Sequence, residues 1–200
     1  MPIAFVAGAT GYTGQALLEE IRNSEWKARA HARSDGKVDG AVVCDPRDVP
    51  RLTDGMRGCD AVVQLIGTVR ANFAEGDYEA IDYGTTVALC QAAKAAGVPR
   101  MLLLSSVGAG KPRGSYLKVK RRTEEQVEAS GLEYTIVRPS VIGGEGRRAN
   151  SILGAIMSPF PSLRGIERHQ LARVFVRALE RRDQVKNKIL EGNAIWQLLR

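Results

Sequence analysis

From Ile3 to Pro139, short apolar runs alternate with stretches of helical periodicity. Ile3 to Ala7 is apolar at every position, the pattern of a strand buried on both faces. Gly8-Ala9-Thr10-Gly11-Tyr12-Thr13-Gly14 follows at once, and Ala16, Leu17 and Ile21 then recur at helical spacing. Lys27 to Arg33 alternates alanine with Arg29, His31 and Arg33 and runs into the turn residues Ser34-Asp35-Gly36, which predicts a second strand. Ala41 to Cys44 reads as a third strand, Arg47 to Met56 as a helix, and Ala61 to Ile66 as a buried fourth strand. Tyr78 to Ala96 predicts a long helix closed by Gly97 and Pro99. Met101 to Leu104 is a fifth strand, Ser115 to Ser130 a helix stopped by Gly131, and Tyr134 to Val137 a sixth strand ended by Pro139. Such alternation implies an α/β fold with a Rossmann-like, doubly wound parallel sheet.

Beyond Pro139 the pattern weakens. Gly143 to Arg148 and Ser158 to Pro161 read as loops around a short apolar stretch, Ile152 to Met157. A helix from about His169 to Glu180, a strand at Lys188 to Glu191 and a helical tail complete the chain. This last part is too small to fold alone, so residues 1–200 are expected to form one domain, with 139–200 as a small C-terminal lid packed on the strand ends.

Composition narrows the classes without choosing a function. At 200 residues, 44% hydrophobic and 26% charged, the chain is long enough for a core and too apolar for a disordered, collagen-like or coiled-coil protein. Cys44, Cys59 and Cys90 lie far apart, which favours neither a disulfide framework nor a metal site and predicts a cytoplasmic location. No apolar run approaches the roughly 20 residues that span a bilayer, so no membrane association is expected. The net charge of +7 suits an anionic small molecule as well as a polyanion. Because the basic residues are scattered, nucleic acid is the less favoured partner.

The glycine loop carries the first chemistry. Between a strand and a helix, glycines without Cβ atoms let the backbone approach a pyrophosphate and aim helix N-terminal N–H groups at it. Gly8, Thr10, Gly11, Tyr12, Thr13 and Gly14 are therefore expected to bind a dinucleotide. The end of the second strand reads the ribose, and Arg33 there favours NADP over NAD, supported by nearby Arg29 and His31. Asp45, past the third strand, is either an acceptor for the adenine amino group or a turn former before Pro46. Leu65 and Gly67, around the end of the fourth strand, are expected along the same cofactor.

Tyr116 and Lys120 are four residues apart and share one helix face, and Ser105 and Ser106 end the preceding strand. Lys120 is also four residues from Glu124, with which it could simply pair. All these groups lie near the carboxyl ends of the strands, where open α/β sheets bind ligands.

Taken with Arg138-Pro139-Ser140, these motifs resemble the atypical short-chain dehydrogenases/reductases over nearly the whole chain. Ser105-Ser106-Val107-Gly108-Ala109, Tyr116-Leu117-Lys118-Val119-Lys120 and Leu190-Glu191-Gly192-Asn193-Ala194-Ile195 resemble, more narrowly, the Tat-interacting oxidoreductase group of NAD(P)H-binding proteins. The resemblance implies a reductase triad of Ser105 or Ser106, Tyr116 and Lys120, with Tyr116 as proton donor and Lys120 also on the nicotinamide ribose. It implies that Pro139 to Val141 runs beside the nicotinamide, a small carbonyl substrate, and a monomer or a homodimer. The short-chain pattern often has an Asn where Ile81-Asp82-Tyr83 offers Asp82, which removes the basis for an Asn-based proton relay. The rival function is a non-catalytic NADPH-binding regulator or interaction protein.

Overall fold

The computed structural model describes residues 1–68, 78–143 and 165–200. The expected loops at 144–148 and 158–161 and the apolar stretch Ile152 to Met157 lie outside the described residues. The strands are β1 (Ile3–Ala7), β2 (Lys27–Ala32), β3 (Val42–Val43), β4 (Ala61–Gln64), β5 (Arg100–Leu104), β6 (Glu133–Arg138) and β9 (Lys188–Glu191). They form a seven-stranded sheet in the order β3-β2-β1-β4-β5-β6-β9, parallel throughout. The order reverses at β1, so the crevice at its carboxyl end is the topological switch point of a Rossmann-like fold.

Period-two alternation sends neighbouring β1 residues to opposite faces. Ala4 and Val6 pack with Leu17, Leu171 and Phe175 on one face. Phe5 and Ala7 pack with Leu52, Met56, Leu89 and Leu103 on the other. The first layer is built from α1 (Tyr12–Arg22) and α5 (Arg168–Glu180). The second is built from α2 (Val49–Met56), α3 (Thr85–Ala95) and α4 (Gly114–Glu128). Local chemistry sets their ends: Asp48 accepts from Arg51 N at 3.1 Å to cap α2, and Glu167 and Gln170 form a reciprocal capping box on α5.

Three departures from the sequence expectation have physical reasons. β3 shrinks to two residues, pairing only through His31–Val42 and Ala32–Val43 at the sheet edge. The long helix expected at Tyr78 to Ala96 begins as a π-helical turn, Glu79–Gly84, before α3 takes over. Residues 165–200, expected in the lid, contribute α5, the edge strand β9, and the short helices α6 (Arg182–Val185) and α7 (Asn193–Leu198) to the main fold. The piece that follows directly from the end of β6 is a two-stranded pair, β7 (Ile142–Gly143) with β8 (Ile166–Glu167). The Tyr12 hydroxyl donates to Gly143 O at 3.1 Å and ties this pair to the start of α1.

Candidate cofactor and active site

Gly8, Gly11 and Gly14 differ in what they leave room for. Gly8 has φ +87°, and a Cβ there would meet Ile66 N at 2.9 Å. A Cβ on Gly14 would collide with Gly8 O and come within 2.7 Å of Ala9 Cα. These two glycines serve the packing of loop, strand and helix. Gly11 is different: it is exposed, caps α1 with no side-chain bond, and its Cβ would meet only Gly8 O at 3.3 Å. The first turn of α1 has no acidic residue. An open backbone at an uncompensated helix N-terminus fits a pyrophosphate.

From this loop a cleft of about 340 Å³ runs along the strand ends. Gly8, Thr10, Gly11, Arg33, Asp45, Leu65 and Gly67, all expected at the cofactor, line it. So do Arg47 and Ala80, Ile81 and Thr85, which sequence reasoning did not single out. Thr13 and Gly14 are buried at the base of α1, Pro139 is buried, and Val141 is 51% exposed.

The basic cluster at the end of β2 is not the expected one. Arg29 Nη1 donates to Gly55 O at 2.9 Å and Arg57 O at 2.7 Å, so it satisfies the end of α2. His31 is buried, donates through Nε2 to Cys44 O at 3.1 Å, and burial lowers its pKa below 6.5, which leaves the ring neutral. Arg33 and Arg47 are the exposed cations on the cleft. Between them, Asp45 accepts from Arg47 N at 2.8 Å and Arg47 Nε at 3.2 Å, and these bonds, with the charge of Arg33, hold its carboxyl below the ordinary range. An Asp45 engaged with its own turn fits the turn-former reading, and the residue also lines the cleft.

Tyr116 and Lys120 lie together on α4 and do not line this cleft, which Lys120 approaches only at Gly67, where a Cβ would lie 2.8 Å from its Nζ. Lys120 Nζ is 5.7 Å from the centroid of the Tyr116 ring, and Tyr78 packs edge-on against that ring at 5.4 Å. Lys120 does not pair with Glu124: its ammonium meets Asp82 Oδ1 at 2.5 Å. Asp82 Oδ2 in turn accepts from Thr68 N at 2.9 Å and Thr68 Oγ1 at 2.7 Å. Glu124 is fully buried and held by Arg138, with Nε to Oε1 at 2.8 Å and Nη2 to Oε2 at 2.7 Å. The bonds to Glu124 and then Glu191 raise the pKa of Arg138 above its ordinary value. This pair also fixes Ser105, whose Oγ donates to Glu124 Oε1 at 2.5 Å. Ser106 is half-buried and its hydroxyl donates to its neighbour's carbonyl, Val107 O, at 3.3 Å. No signal in the sequence tied Glu124 to Arg138 rather than to Lys120.

Residues 8–182 match the family model described as NAD(P)H-binding. The chain belongs to this NAD(P)H-binding family. A ceramide reductase from Caulobacter vibrioides is 30% identical over 152 residues, covering 72% of this chain and 47% of that protein. The chain thus spans about half the length of this relative. The mitochondrial protein FMP52 of Debaryomyces hansenii is 31% identical over 171 residues, 80% of this chain and 75% of that one. Among solved structures, a short-chain dehydrogenase/reductase superfamily protein from Agrobacterium tumefaciens with bound NAD superposes with a TM-score of 0.76 at 18% identity, covering 95% and 77% of the two chains. The structural likeness concerns the fold. Among the described residues of this NAD(P)H-binding protein, no group of His, Cys, Asp and Glu could hold a metal ion, and no helix is long and apolar enough to cross a membrane. Its three thiols are buried and free, and burial pushes all of them up, Cys90 to about 12, so none is a nucleophile at neutral pH.

Proposed function

We propose that this protein is an NADP(H)-dependent reductase of a small carbonyl compound, cytoplasmic and acting within one domain. The observation that carries the reading is the meeting of Tyr116 and Lys120 on α4, with the ammonium 2.8 Å from where a Cβ on cleft-lining Gly67 would lie. Similarity to a ceramide reductase supports reduction as the class of reaction. Arg33 and Arg47 on the cleft support NADP, since a 2′-phosphate finds two exposed guanidinium groups there. Buried free thiols suit a reducing compartment.

When bound, NADPH supplies a hydride to the carbonyl carbon. The residues of this chain do the rest. Gly11 and the N-terminus of α1 hold the pyrophosphate, and Leu65 and Gly67 line the path towards the redox end. Tyr116 gives the proton that neutralises the developing alkoxide, and Lys120, held by Asp82, stands beside its ring. Ser106 is the hydroxyl that orients the carbonyl oxygen, because Ser105 is committed to Glu124. Pro139 and Val141 flank this end.

The test is a panel of small aldehydes, ketones and quinones followed by NADPH absorbance. Tyr116→Phe keeps the ring against Tyr78 but has no transferable proton, so turnover falls by about 10²- to 10⁴-fold while NADPH affinity is nearly unchanged. A Tyr116→Phe protein with full turnover would remove the proposed acid. A wild type that binds NADPH yet reduces nothing in the panel would favour a non-catalytic NADPH-binding regulator.

A further inference from the structure

The buried ion pair at the redox end does more than anchor a lysine. Asp82 sits on the π-helical turn Glu79–Gly84, and the Lys120 and Asp82 side chains are 8% and 2% exposed. Both Asp82 oxygens are engaged, one by Lys120 and the other by Thr68. Gly67 leaves the gap that makes the approach possible: a Cβ there would lie 2.8 Å from Lys120 Nζ and 3.1 Å from Asp82 Oδ1. Gly67 and Ile81 line the cleft at the end opposite Arg33, Asp45 and Arg47.

The neighbouring ion pairs are made without Lys120 or Asp82. On the same turn, Glu79 pairs with Arg122 of α4, whose guanidinium lies 4.0 Å over the ring of Tyr83. On α4, Glu124 is held by Arg138 of β6, and Arg121 by Glu124, Glu125 and Glu128. Lys120 and Asp82 thus form a buried pair of their own, and their two charges sum to zero.

We propose that Asp82 is a positioning residue for the cofactor, fixing Lys120 at the redox end of the cleft and cancelling the repulsion that a lone ammonium would exert on an oxidised nicotinamide. This rests on the cofactor assignment above but not on any turnover. An oxidised nicotinamide ring carries one more positive charge than a reduced one. With Asn at this position, Lys120 would be an unbalanced cation and would penalise the oxidised form selectively. With Asp82, the site tolerates both forms, which a reductase needs for taking up one and releasing the other.

The experiment measures dissociation constants for the oxidised and reduced forms of whichever of NADP and NAD binds more tightly. The proteins are the wild type, Asp82→Asn, and the double variant Asp82→Asn/Lys120→Met. In Asp82→Asn, the ratio of oxidised to reduced dissociation constants rises by about three- to tenfold, from a unit charge acting through partly solvated protein. The double variant replaces one neutral pair by another and returns the ratio to that of the wild type. A purely structural role for Asp82 would weaken both forms alike, so an unchanged ratio in folded Asp82→Asn overturns the proposal. If Asp82→Asn does not fold, the double variant decides alone. A wild-type ratio supports the proposal, and a ratio shifted in favour of the oxidised form, as loss of an unbalanced cation would give, refutes it. In the wild type itself, a Lys120 ammonium tied to a buried carboxylate gives a slowly exchanging signal in a proton–nitrogen spectrum, and its absence would contradict the pairing. A protein that binds both forms but reduces no carbonyl would defeat the reductase reading and leave this one standing.

Discussion

Gly11 and Gly14 are three residues apart in one loop, yet substituting them should produce opposite failures. At Gly14 a methyl group would fall on Gly8 O and press on Ala9 Cα at 2.7 Å. Those atoms are backbone at the junction of β1 and α1 and cannot rotate away, so Gly14→Ala costs about 1–3 kcal/mol or more, the usual range for overpacking. At Gly11 an added Cβ would meet only Gly8 O, at 3.3 Å, and the φ of −80° and ψ of 173° there are open to valine. Its cost is the loss of a favourable N-cap residue, about 1 kcal/mol, or about 2–4 °C in Tm for a chain of this size. Binding should respond the other way. The valine side chain fills the space before the α1 N-terminus, and two lost charge-assisted hydrogen bonds at about 1.5–3 kcal/mol each amount to a hundredfold or more in affinity. Urea unfolding followed by circular dichroism reads the first quantity, and NADPH fluorescence titration reads the second. Wild-type affinity in folded Gly11→Val would show that the open space at Gly11 is not the pyrophosphate site, and a Gly14→Ala protein as stable as Gly11→Val would show that Gly14 is not required by packing.

The two serines should separate in the same manner. Ser106→Ala lowers turnover and leaves the unfolding midpoint nearly unchanged, whereas Ser105→Ala loses about 1–2 kcal/mol of stability by removing a buried bond to Glu124, with a small effect on rate; the reverse pattern would reassign the roles. Arg33→Ala and Arg47→Ala each weaken NADPH more than NADH by calorimetry, and equal losses for both nucleotides would argue against a 2′-phosphate there. Because burial lowers the pKa of His31 below 6.5, the unfolded chain binds this proton more readily than the folded one. Stability from His31 is therefore full above about pH 6.5 and declines on acidification, with a slope of at most about 1.4 kcal/mol per pH unit. His31→Gln should flatten that part of the stability profile, and an unchanged slope would mean that other groups cause it.

What could be read from the sequence was set by local patterns. Ile3 to Ala7 gives its strand away because a parallel strand buried on both faces has no polar position to interrupt it. The glycines were legible for the same reason, since a strand, a turn and a helix follow one another within a few residues. The π-helical turn at Glu79–Gly84 was not, because apolar spacing reports which face is buried and not which carbonyl each N–H reaches. β7 and β8, two residues each, carry no period to detect. Side-chain partners across the fold were hardest. The helix rule favoured Lys120 with Glu124, but Glu124 faces the Arg138 fork from β6, whose two parallel bonds satisfy both carboxylate oxygens. That leaves Lys120 to the carboxylate across the helix interface, 38 positions earlier in sequence, which no spacing rule connects to it. Arg29 was misplaced for a similar reason: its neighbours on β2 pointed to the cofactor, while the end of α2 offered it two carbonyls.

The two ends of the cleft are therefore held by different physics. At the adenosine end, the Arg47 and Asp45 side chains are 59% and 54% exposed, so their charges are screened and contribute little to folding. At the redox end, Lys120 and Asp82 are out of water, and each depends on the other to offset its desolvation. Substitutions at Arg33 or Arg47 are then expected to leave the fold alone. Substitutions at Lys120 or Asp82 cannot separate chemistry from stability, because removing either partner strands a buried charge beneath Gly67. That asymmetry is why Asp82→Asn has to be measured beside the charge-neutral double variant, whereas single substitutions suffice at Arg33 and Arg47.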